Sequence, residues 1–244
     1  MVAKPADRPQ PEPLPLLISI LENMADLSLK KLPVDLIVFD LDGTLADSVP
    51  DLTIAANYAL RTLGLPERSG EAIEGMIGGG ERMFMERLLG PERRALVEDC
   101  LTIYLDYYSR HCCDLTRLYS GVPETLERLS GKKVAVLSNK LQRLTEQILT
   151  ALGIARFLDA SRGGGAGLPL KPAPEPLLAL IRDLQVEAGR TLMVGDKPAD
   201  VNCARGAGAH SAAVTYGYGD RESLEAANPE FLLGHFAQVL EIIK

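Results

Sequence analysis

The strongest constraint on the fold is a run of four apolar residues, Leu36–Phe39, that leads directly into Asp-Leu-Asp-Gly-Thr at 40–44. The run is too short for a helix, and an uninterrupted run of this length is typical of a strand buried on both faces. Asp40 and Asp42 then lie at the carboxyl end of the strand, the edge where open α/β sheets bind ligands. Since residues i and i+2 of an extended chain point the same way, both carboxylates are expected to converge on one small volume.

The glycine after the two aspartates adds a second property to this segment. Gly43 has no side chain, so the backbone can approach a ligand closely there and offer its N–H to an anion. Two carboxylates beside such a turn suit phosphoryl chemistry with a metal ion. An Asp-Gly pair after a strand is also common in an ordinary turn, and this segment alone does not separate the two interpretations.

Apolar runs and helical patterns alternate along the rest of the chain. After residue 121, strands are predicted at 134–137, at 191–194 and at 212–215, with a weaker one opening at 157–158. This alternation predicts an α/β fold with a doubly wound, Rossmann-like parallel sheet. From Asp47 to about Leu118 the periodicity is helical, so this block is predicted to be an all-helical cap inserted into the sheet domain.

The predicted organisation therefore has three parts. A leader spans residues 1–33, the α/β core domain spans 34–46 and 119–244, and the helical cap spans 47–118. The leader begins with a proline-rich stretch that is predicted to be disordered, followed by a short helix. Residues 163–167 are rich in glycine but lack the lysine and serine of a P-loop, so they are predicted to form a mobile connection.

Composition limits the partners that this chain can have. The formal net charge of −7 argues against binding to nucleic acid or to an anionic membrane, and no stretch reaches transmembrane length. The four cysteines show neither metal-ligand spacing nor a disulfide framework, which favours a reducing cytoplasm. The expected partner is a small phosphorylated metabolite, and the expected assembly is a monomer or a homodimer.

Polar residues follow several of the predicted strands, and the carboxyl ends of parallel strands share one edge of a sheet. Oxygen ligands for Mg²⁺ would come from Asp40, from Asp196 and from a backbone carbonyl. Phosphate oxygens need N–H and O–H donors and a fixed cation, which Ser138, backbone amides and Lys171 can supply. One aspartate can attack phosphorus, and a second carboxylic acid can protonate the departing alkoxide and then activate water.

These residues resemble the haloacid dehalogenase-like superfamily, whose four short motifs occur here in order. They correspond to residues 40–44, Ser138, Lys171, and Gly195-Asp196 together with Asp200. The finer pattern is similar to the phosphoglycolate phosphatase branch, on the evidence of residues 47–48, 77–80, 117–123, 138–140 and 171–177. The presence of Asp42 argues against a dehalogenase, because that reaction has no leaving alkoxide to protonate.

The resemblance implies a role for each matched residue. Asp40 is the nucleophile and Asp42 the general acid/base. The expected phosphate-binding residues are Gly43, Thr44, Ser138, Asn139 and Lys171. The expected Mg²⁺ site comprises Asp40, Asp42, Asp196 and Asp200, the last of which orients or ligates.

The resulting hypothesis is a Mg²⁺-dependent phosphatase of a small phosphomonoester, with 2-phosphoglycolate as the leading substrate and an aspartyl-phosphate intermediate. The alternatives are a sugar phosphomutase, a pyrophosphatase with the same residues, and a non-catalytic module that binds a phosphate ligand. For the cap, the candidate substrate contacts are Gly79 and Gly80, which could open a helix towards a carboxylate, and Arg82, which could equally be a surface residue. Lys197 stands where the family commonly has a small polar residue, and its side chain is expected to point to solvent.

Overall fold

The computed structural model of the protein describes residues 31–165 and 167–244. The predicted disordered stretch and helix of the leader lie outside these residues. Among the residues that are described, no helix combines the length and the apolar character needed to cross a membrane.

The core is a six-stranded parallel sheet in the order β5-β4-β1-β6-β7-β8. β1 lies between β4 and β6, and all four of its residues are buried, as the apolar run predicts. A separate antiparallel pair, β2 with β3, joins the cap to the core. The strands are β1 (Leu36–Phe39), β2 (Ala46–Asp47), β3 (Arg117–Leu118), β4 (Lys133–Leu141), β5 (Ala160–Gly164), β6 (Thr191–Gly195), β7 (His210–Val214) and β8 (Phe231–Leu233).

Helices cover both faces of the sheet. Successive side chains of β1 point to opposite faces and therefore pack against different layers of helices. Leu36 and Val38 pack with the helices α7 and α8, whereas Ile37 and Phe39 face the larger cluster that continues into the cap. The helices are α1 (Val49–Thr62), α2 (Gly70–Glu74), α3 (Gly80–Leu89), α4 (Val97–His111), α5 (Val122–Arg128), α6 (Gln142–Ala151), α7 (Glu175–Asp183), α8 (Pro198–Ala207), α9 (Arg221–Ala226) and α10 (Val239–Ile242). Short 3-10 turns occupy Pro91–Leu96, Ala155–Phe157, Ala188–Arg190 and Phe236–Gln238.

The cap consists of α1 to α4, which follow β2 and precede β3. Its centre is apolar and aromatic: Tyr104 and Tyr108 of α4 are buried and stacked, with ring centroids 5.3 Å apart. Three alanines of α1 are buried as well, in agreement with its predicted apolar stripe. The fold is therefore the predicted one, a parallel α/β core with an inserted helical cap.

The segment before the third core helix differs from its prediction. Phe157 ends a 3-10 turn, and the strand begins only at Ala160. Gly163 and Gly164 belong to β5 rather than to a loop. A Cβ at Gly163 would lie 2.6 Å from the Lys140 carbonyl oxygen, and one at Gly164 would lie 2.8 Å from that of Asn139. Glycine is needed here because β5 passes very close to the end of β4, not because the chain must turn.

Candidate active site

The two aspartates after β1 enter one cavity of about 750 Å³ between core and cap, but they have different partners. Asp40 Oδ1 accepts a hydrogen bond from the Leu41 N–H (2.7 Å) and pairs with Lys171 Nζ (2.9 Å). Asp42 Oδ1 accepts from the Ser48 hydroxyl (2.5 Å), and its Oδ2 lies 3.2 Å from Lys140 Nζ. Each carboxylate is thus held by its own ammonium group.

Lys171 is the cation at the sheet edge. Its Nζ donates to the Leu137 carbonyl (2.7 Å) and also pairs with Asp200 Oδ1 (2.8 Å), and the side chain is almost fully buried. Burial opposes the charged form, but Asp200 and Asp40 outweigh it and raise the pKa of Lys171 above its ordinary value. A fixed, permanently charged ammonium of this kind is suited to hold a phosphoryl oxygen.

Three carboxylates form an acidic cluster at the same edge. Asp40, Asp196 and Asp200 each offer one oxygen, and these oxygens lie within 4.8 Å of one another. Asp196 Oδ2 accepts the Tyr218 N–H (2.8 Å), but its buried Oδ1 has no hydrogen-bond partner among the described residues. Burial raises the pKa of Asp40 to about 6, and burial together with Asp40 and Asp200 raises that of Asp196.

A hard divalent cation fits this cluster. The donors are carboxylate oxygens, which Mg²⁺ prefers, and the unpartnered Asp196 oxygen is costly to bury unless something positive meets it. The side chain of Asp42, expected among the metal ligands, lies outside the cluster because Ser48 and Lys140 hold it elsewhere.

Glycines make room for this cluster. A Cβ at Gly195 would lie 2.1 Å from Asp200 Cγ, so any side chain there would displace the carboxylate. Gly43 has φ of +80°, and a Cβ on it would lie 2.2 Å from Asp196 Oδ2. The close backbone approach predicted at Gly43 is present, but it is an approach to a protein carboxylate.

The predicted phosphate-binding roles of Gly43, Thr44 and Asn139 are not supported by their contacts. The Gly43 N–H donates to the Ala46 carbonyl (2.9 Å) and the Thr44 N–H to that of Leu41, because this turn satisfies its own amides. Neither residue lines the cavity. Asn139 does line it, but its amide bonds both backbone groups of Lys171, at 2.9 and 2.8 Å. It therefore positions Lys171.

Ser138 keeps its predicted place beside the cavity. It is 4% exposed, and its hydroxyl accepts the Lys140 N–H (3.2 Å), which leaves the O–H free to donate to a ligand. Five of the predicted site residues therefore lie together at one edge of the sheet, as expected from three strands that end side by side: Asp40, Ser138, Lys171, Asp196 and Asp200.

The cap closes the other side of the cavity. Gly79 and Gly80 line it where α3 begins, in agreement with their predicted position. Arg82 does not line it: its side chain is 61% exposed and pairs with Glu86 and Glu98, so it is not a substrate contact here. The expectation that Lys197 points to solvent is also wrong, because its Nζ donates to the Ile77 carbonyl of the cap (2.6 Å).

Several contacts at the site were not predicted. The Tyr218 hydroxyl accepts the Ser48 N–H (2.7 Å), and Glu81 of α3 accepts the Leu141 N–H of the core (2.9 Å). Lys140 Nζ contacts the Tyr108 hydroxyl at 3.1 Å. Ser48 had a signal in the pair Asp47-Ser48, whereas Tyr218 and Glu81 stand in segments without a recognisable pattern.

Comparison with known proteins matches most of the chain. The model of the haloacid dehalogenase-like hydrolase family matches residues 37–214. A phosphoglycolate phosphatase of Vibrio parahaemolyticus is 37% identical over 219 residues, covering 86% of this chain and 96% of that protein. One of Aquifex aeolicus is 34% identical over 209 residues, covering 85% and 95%.

Among solved structures, a predicted phosphoglycolate phosphatase from Haemophilus somnus superposes with a TM-score of 0.82 at 32% identity. The match covers 86% of this chain and 98% of that one. The structural match therefore extends over both the core and the cap.

Proposed function

Because the chain belongs to the haloacid dehalogenase-like hydrolase family, we propose that it is a Mg²⁺-dependent phosphatase of 2-phosphoglycolate that works through an aspartyl-phosphate. The family together with the relatives named phosphoglycolate phosphatase makes it a phosphoric monoester hydrolase. The relatives named phosphoglycolate phosphatase support the choice of substrate. The main observation in support of the mechanism is that Asp40 and Asp42 have different partners. Asp40 pairs with Lys171, whereas Asp42 contacts Ser48 and Lys140, so the two carboxylates can have different roles.

In the first step Asp40 attacks phosphorus. Lys171 and the Leu41 N–H hold Oδ1, which fixes the carboxylate and leaves Oδ2 available as the nucleophile. A bond forms between Oδ2 and phosphorus while the ester P–O bond breaks. The departing alkoxide takes a proton from Asp42.

In the second step Asp42 accepts a proton from water, the oxygen of which attacks phosphorus. Inorganic phosphate leaves and the Asp40 carboxylate is restored. Ser138 and Lys171 would hold the phosphoryl oxygens throughout. Mg²⁺, held by Asp40, Asp196 and Asp200, would supply positive charge against that of the phosphoryl group when it is bound.

The test is phosphate release from a panel of phosphomonoesters, with Mg²⁺ and with EDTA, for the wild type and Asp40→Asn. We expect a preference for 2-phosphoglycolate that disappears without metal. Asp40→Asn should lower kcat by about 10³-fold or more while the circular dichroism spectrum is unchanged. Full activity of Asp40→Asn would contradict the nucleophile, and weak hydrolysis of every ester would contradict the substrate.

A further inference from the structure

A second buried ammonium group stands in the cavity besides Lys171. Lys140 lies near the end of β4, and its side chain is 5% exposed. Nζ lies 3.2 Å from Asp42 Oδ2 and 3.1 Å from the Tyr108 hydroxyl. Burial opposes its charge, but Asp42 and the other polar groups around it raise the pKa of Lys140 above its ordinary value, so it is an ammonium at neutral pH.

The surroundings of this ammonium come from the core and from the cap. Tyr104 and Tyr108 of α4 cover it, and Glu81 of α3 lies nearby with its Oε1 held by the Leu141 N–H. Within the described part of the chain, Asp42 is the one carboxylate within 4.0 Å of Lys140 Nζ. The charge of Lys140 is therefore matched mainly by the residue proposed to handle the leaving oxygen.

Among the residues that the structure describes, four cationic side chains line the cavity, and three of them have partners away from the leaving-group side. Lys171 is bound to Asp40 and Asp200 at the phosphoryl end. Lys197 donates to the Ile77 carbonyl, and the exposed Arg87 donates to the carbonyls of Met76 and Gly78. Lys140 is the cation that stands on the leaving-group side.

The geometry of the proposed reaction places the leaving group next to this cation. The ester oxygen must come within about 3 Å of Asp42 to take its proton. A charged group one carbon away then lies close to Lys140, which is itself adjacent to Asp42. The walls around that position include the rings of Phe84 and Tyr104, where an unpaired substrate carboxylate would be costly to bury.

We propose that Lys140 binds the carboxylate of the leaving alcohol and thereby selects phosphomonoesters of short 2-hydroxy acids. This inference rests on the proposed phosphatase function and assigns its substrate specificity to one residue. Lys140 exchanges part of its contact with Asp42 for the substrate carboxylate. An ester of a neutral alcohol leaves the Lys140–Asp42 pair intact and gains no binding energy from Lys140.

The first test compares two esters of nearly equal size, 2-phosphoglycolate and 2-hydroxyethyl phosphate, which carries a hydroxymethyl group in place of the carboxylate. The wild type should prefer 2-phosphoglycolate. Lys140→Met should lower kcat/KM for 2-phosphoglycolate about 100-fold further than for the neutral ester, mainly through KM. Lys140→Arg, which keeps the charge, should restore part of the discrimination, whereas Lys197→Met should change both esters alike.

An equal loss for both esters in Lys140→Met would mean that Lys140 only positions Asp42, and it would overturn the proposal. So would a wild type that hydrolyses both esters equally well, a result that leaves the phosphatase function intact. If the wild type releases no phosphate from any ester, the proposed function fails instead.

Binding provides a readout that does not depend on turnover. Calorimetric titration with 3-phosphonopropionate and with 3-hydroxypropylphosphonate, in which a methylene group replaces the ester oxygen, should show tighter binding of the carboxylate in the presence of Mg²⁺. Lys140→Met should abolish that difference, and its circular dichroism spectrum should match that of the wild type. Equal binding of the two phosphonates by the wild type overturns the assignment whatever the outcome of the kinetic assay.

Discussion

Asp42 has hydrogen-bonding partners on both carboxylate oxygens, and neither partner belongs to its own turn. Ser48 comes from the start of the cap and is fully buried, and Lys140 comes from β4. In the proposed reaction Asp42 is the acid/base group, and such a group gains from fixed orientation because proton transfer depends steeply on position. The residues that orient Asp42 are therefore as much a part of the site as Asp42 itself.

Ser48→Ala should lower kcat by about tenfold with little change in stability, since Asp42 loses one of its two partners. Ser48→Thr keeps the hydroxyl and should recover most of the activity. Steady-state kinetics on 2-phosphoglycolate measures the effect, and Ser109→Ala, at a half-buried position of α4 that does not line the cavity, is the matched control. An unchanged kcat in Ser48→Ala would show that Lys140 alone orients the acid.

Gly195→Ala should impair the acidic cluster. The added methyl group would meet Asp200 Cγ at 2.1 Å, so the carboxylate or the strand must shift. We expect a loss of about 1–3 kcal/mol in the free energy of unfolding and weaker Mg²⁺ binding. Urea denaturation and calorimetry measure both quantities.

Gly189→Ala is the control for that substitution, because nothing lies within 4 Å of its Cβ position. It should leave stability and metal binding close to those of the wild type. If Gly195→Ala behaves in the same way, the close packing around Asp200 has no energetic consequence.

At the scale of elements, the first cap helix is fastened to the returning chain by one buried carboxylate. Asp51 of α1 accepts hydrogen bonds from the Leu115 N–H, the Thr116 N–H and the Thr116 hydroxyl, at 3.0, 2.8 and 2.7 Å. These contacts lie next to the β2–β3 pair, where the cap joins the core. They fix the angle at which α1 leaves the sheet domain.

Asp51→Ala should lower the free energy of unfolding by about 2–4 kcal/mol, because it leaves buried donors without an acceptor. Asp51→Asn keeps one acceptor oxygen and should cost less. Asp106→Ala, on the exposed side of α4, should cost less than about 1 kcal/mol although it also removes a carboxylate. Chemical denaturation compares the three variants, and equal losses for Asp51→Ala and Asp106→Ala would refute the role of the buried acceptor.

The core elements were predictable from local patterns, but their close approaches were not. Short apolar runs, of four residues in β1 and three in β6, identify these strands because both are buried on both faces. The same rule misplaced β5, because the residues of this strand are small or polar and form no apolar run. Lys197 shows what such local patterns miss. The alternation of neighbouring side chains cannot reveal that the Ile77 carbonyl of the cap lies within hydrogen-bonding distance of Lys197.

The site shows the same division. Asp40, Ser138, Lys171 and Asp196 could be predicted because chemistry dictates their residue types and parallel strands bring them to one edge. Arg82 could not be placed, because its direction depends on how α3 packs against α4, where Glu98 accepts its guanidinium. The contact between Lys140 and Tyr108 could not be predicted, because the two residues are 32 positions apart in the chain.

At the scale of the whole molecule, metal binding and pH are expected to act on stability together. Burial raises the pKa of Asp40 from 3.8 to about 6. A carboxyl group with a higher pKa in the folded than in the unfolded state binds protons more tightly when folded. Its contribution to stability is thus present below pH 3.8 and is lost as the pH rises through about 6.

In EDTA, the stability of the wild type relative to Asp40→Asn should therefore decrease between about pH 4 and about pH 6. Saturating Mg²⁺ should reverse this trend above about pH 6, because a cation that binds the folded state stabilises it by mass action. Urea midpoints of both proteins across this range measure the difference. A difference that is independent of pH in EDTA would contradict the raised pKa.

The β2–β3 pair has a consequence for how such enzymes diversify. Ala46 lies opposite Leu118 and Asp47 opposite Arg117, so the chain leaves the core and returns to it at neighbouring points. An insertion with adjacent ends can grow, shrink or be exchanged as a cassette with little added cost of loop closure. The residues at the sheet edge can then stay the same in evolution, while exchange of the cap changes the pocket that receives the leaving alcohol.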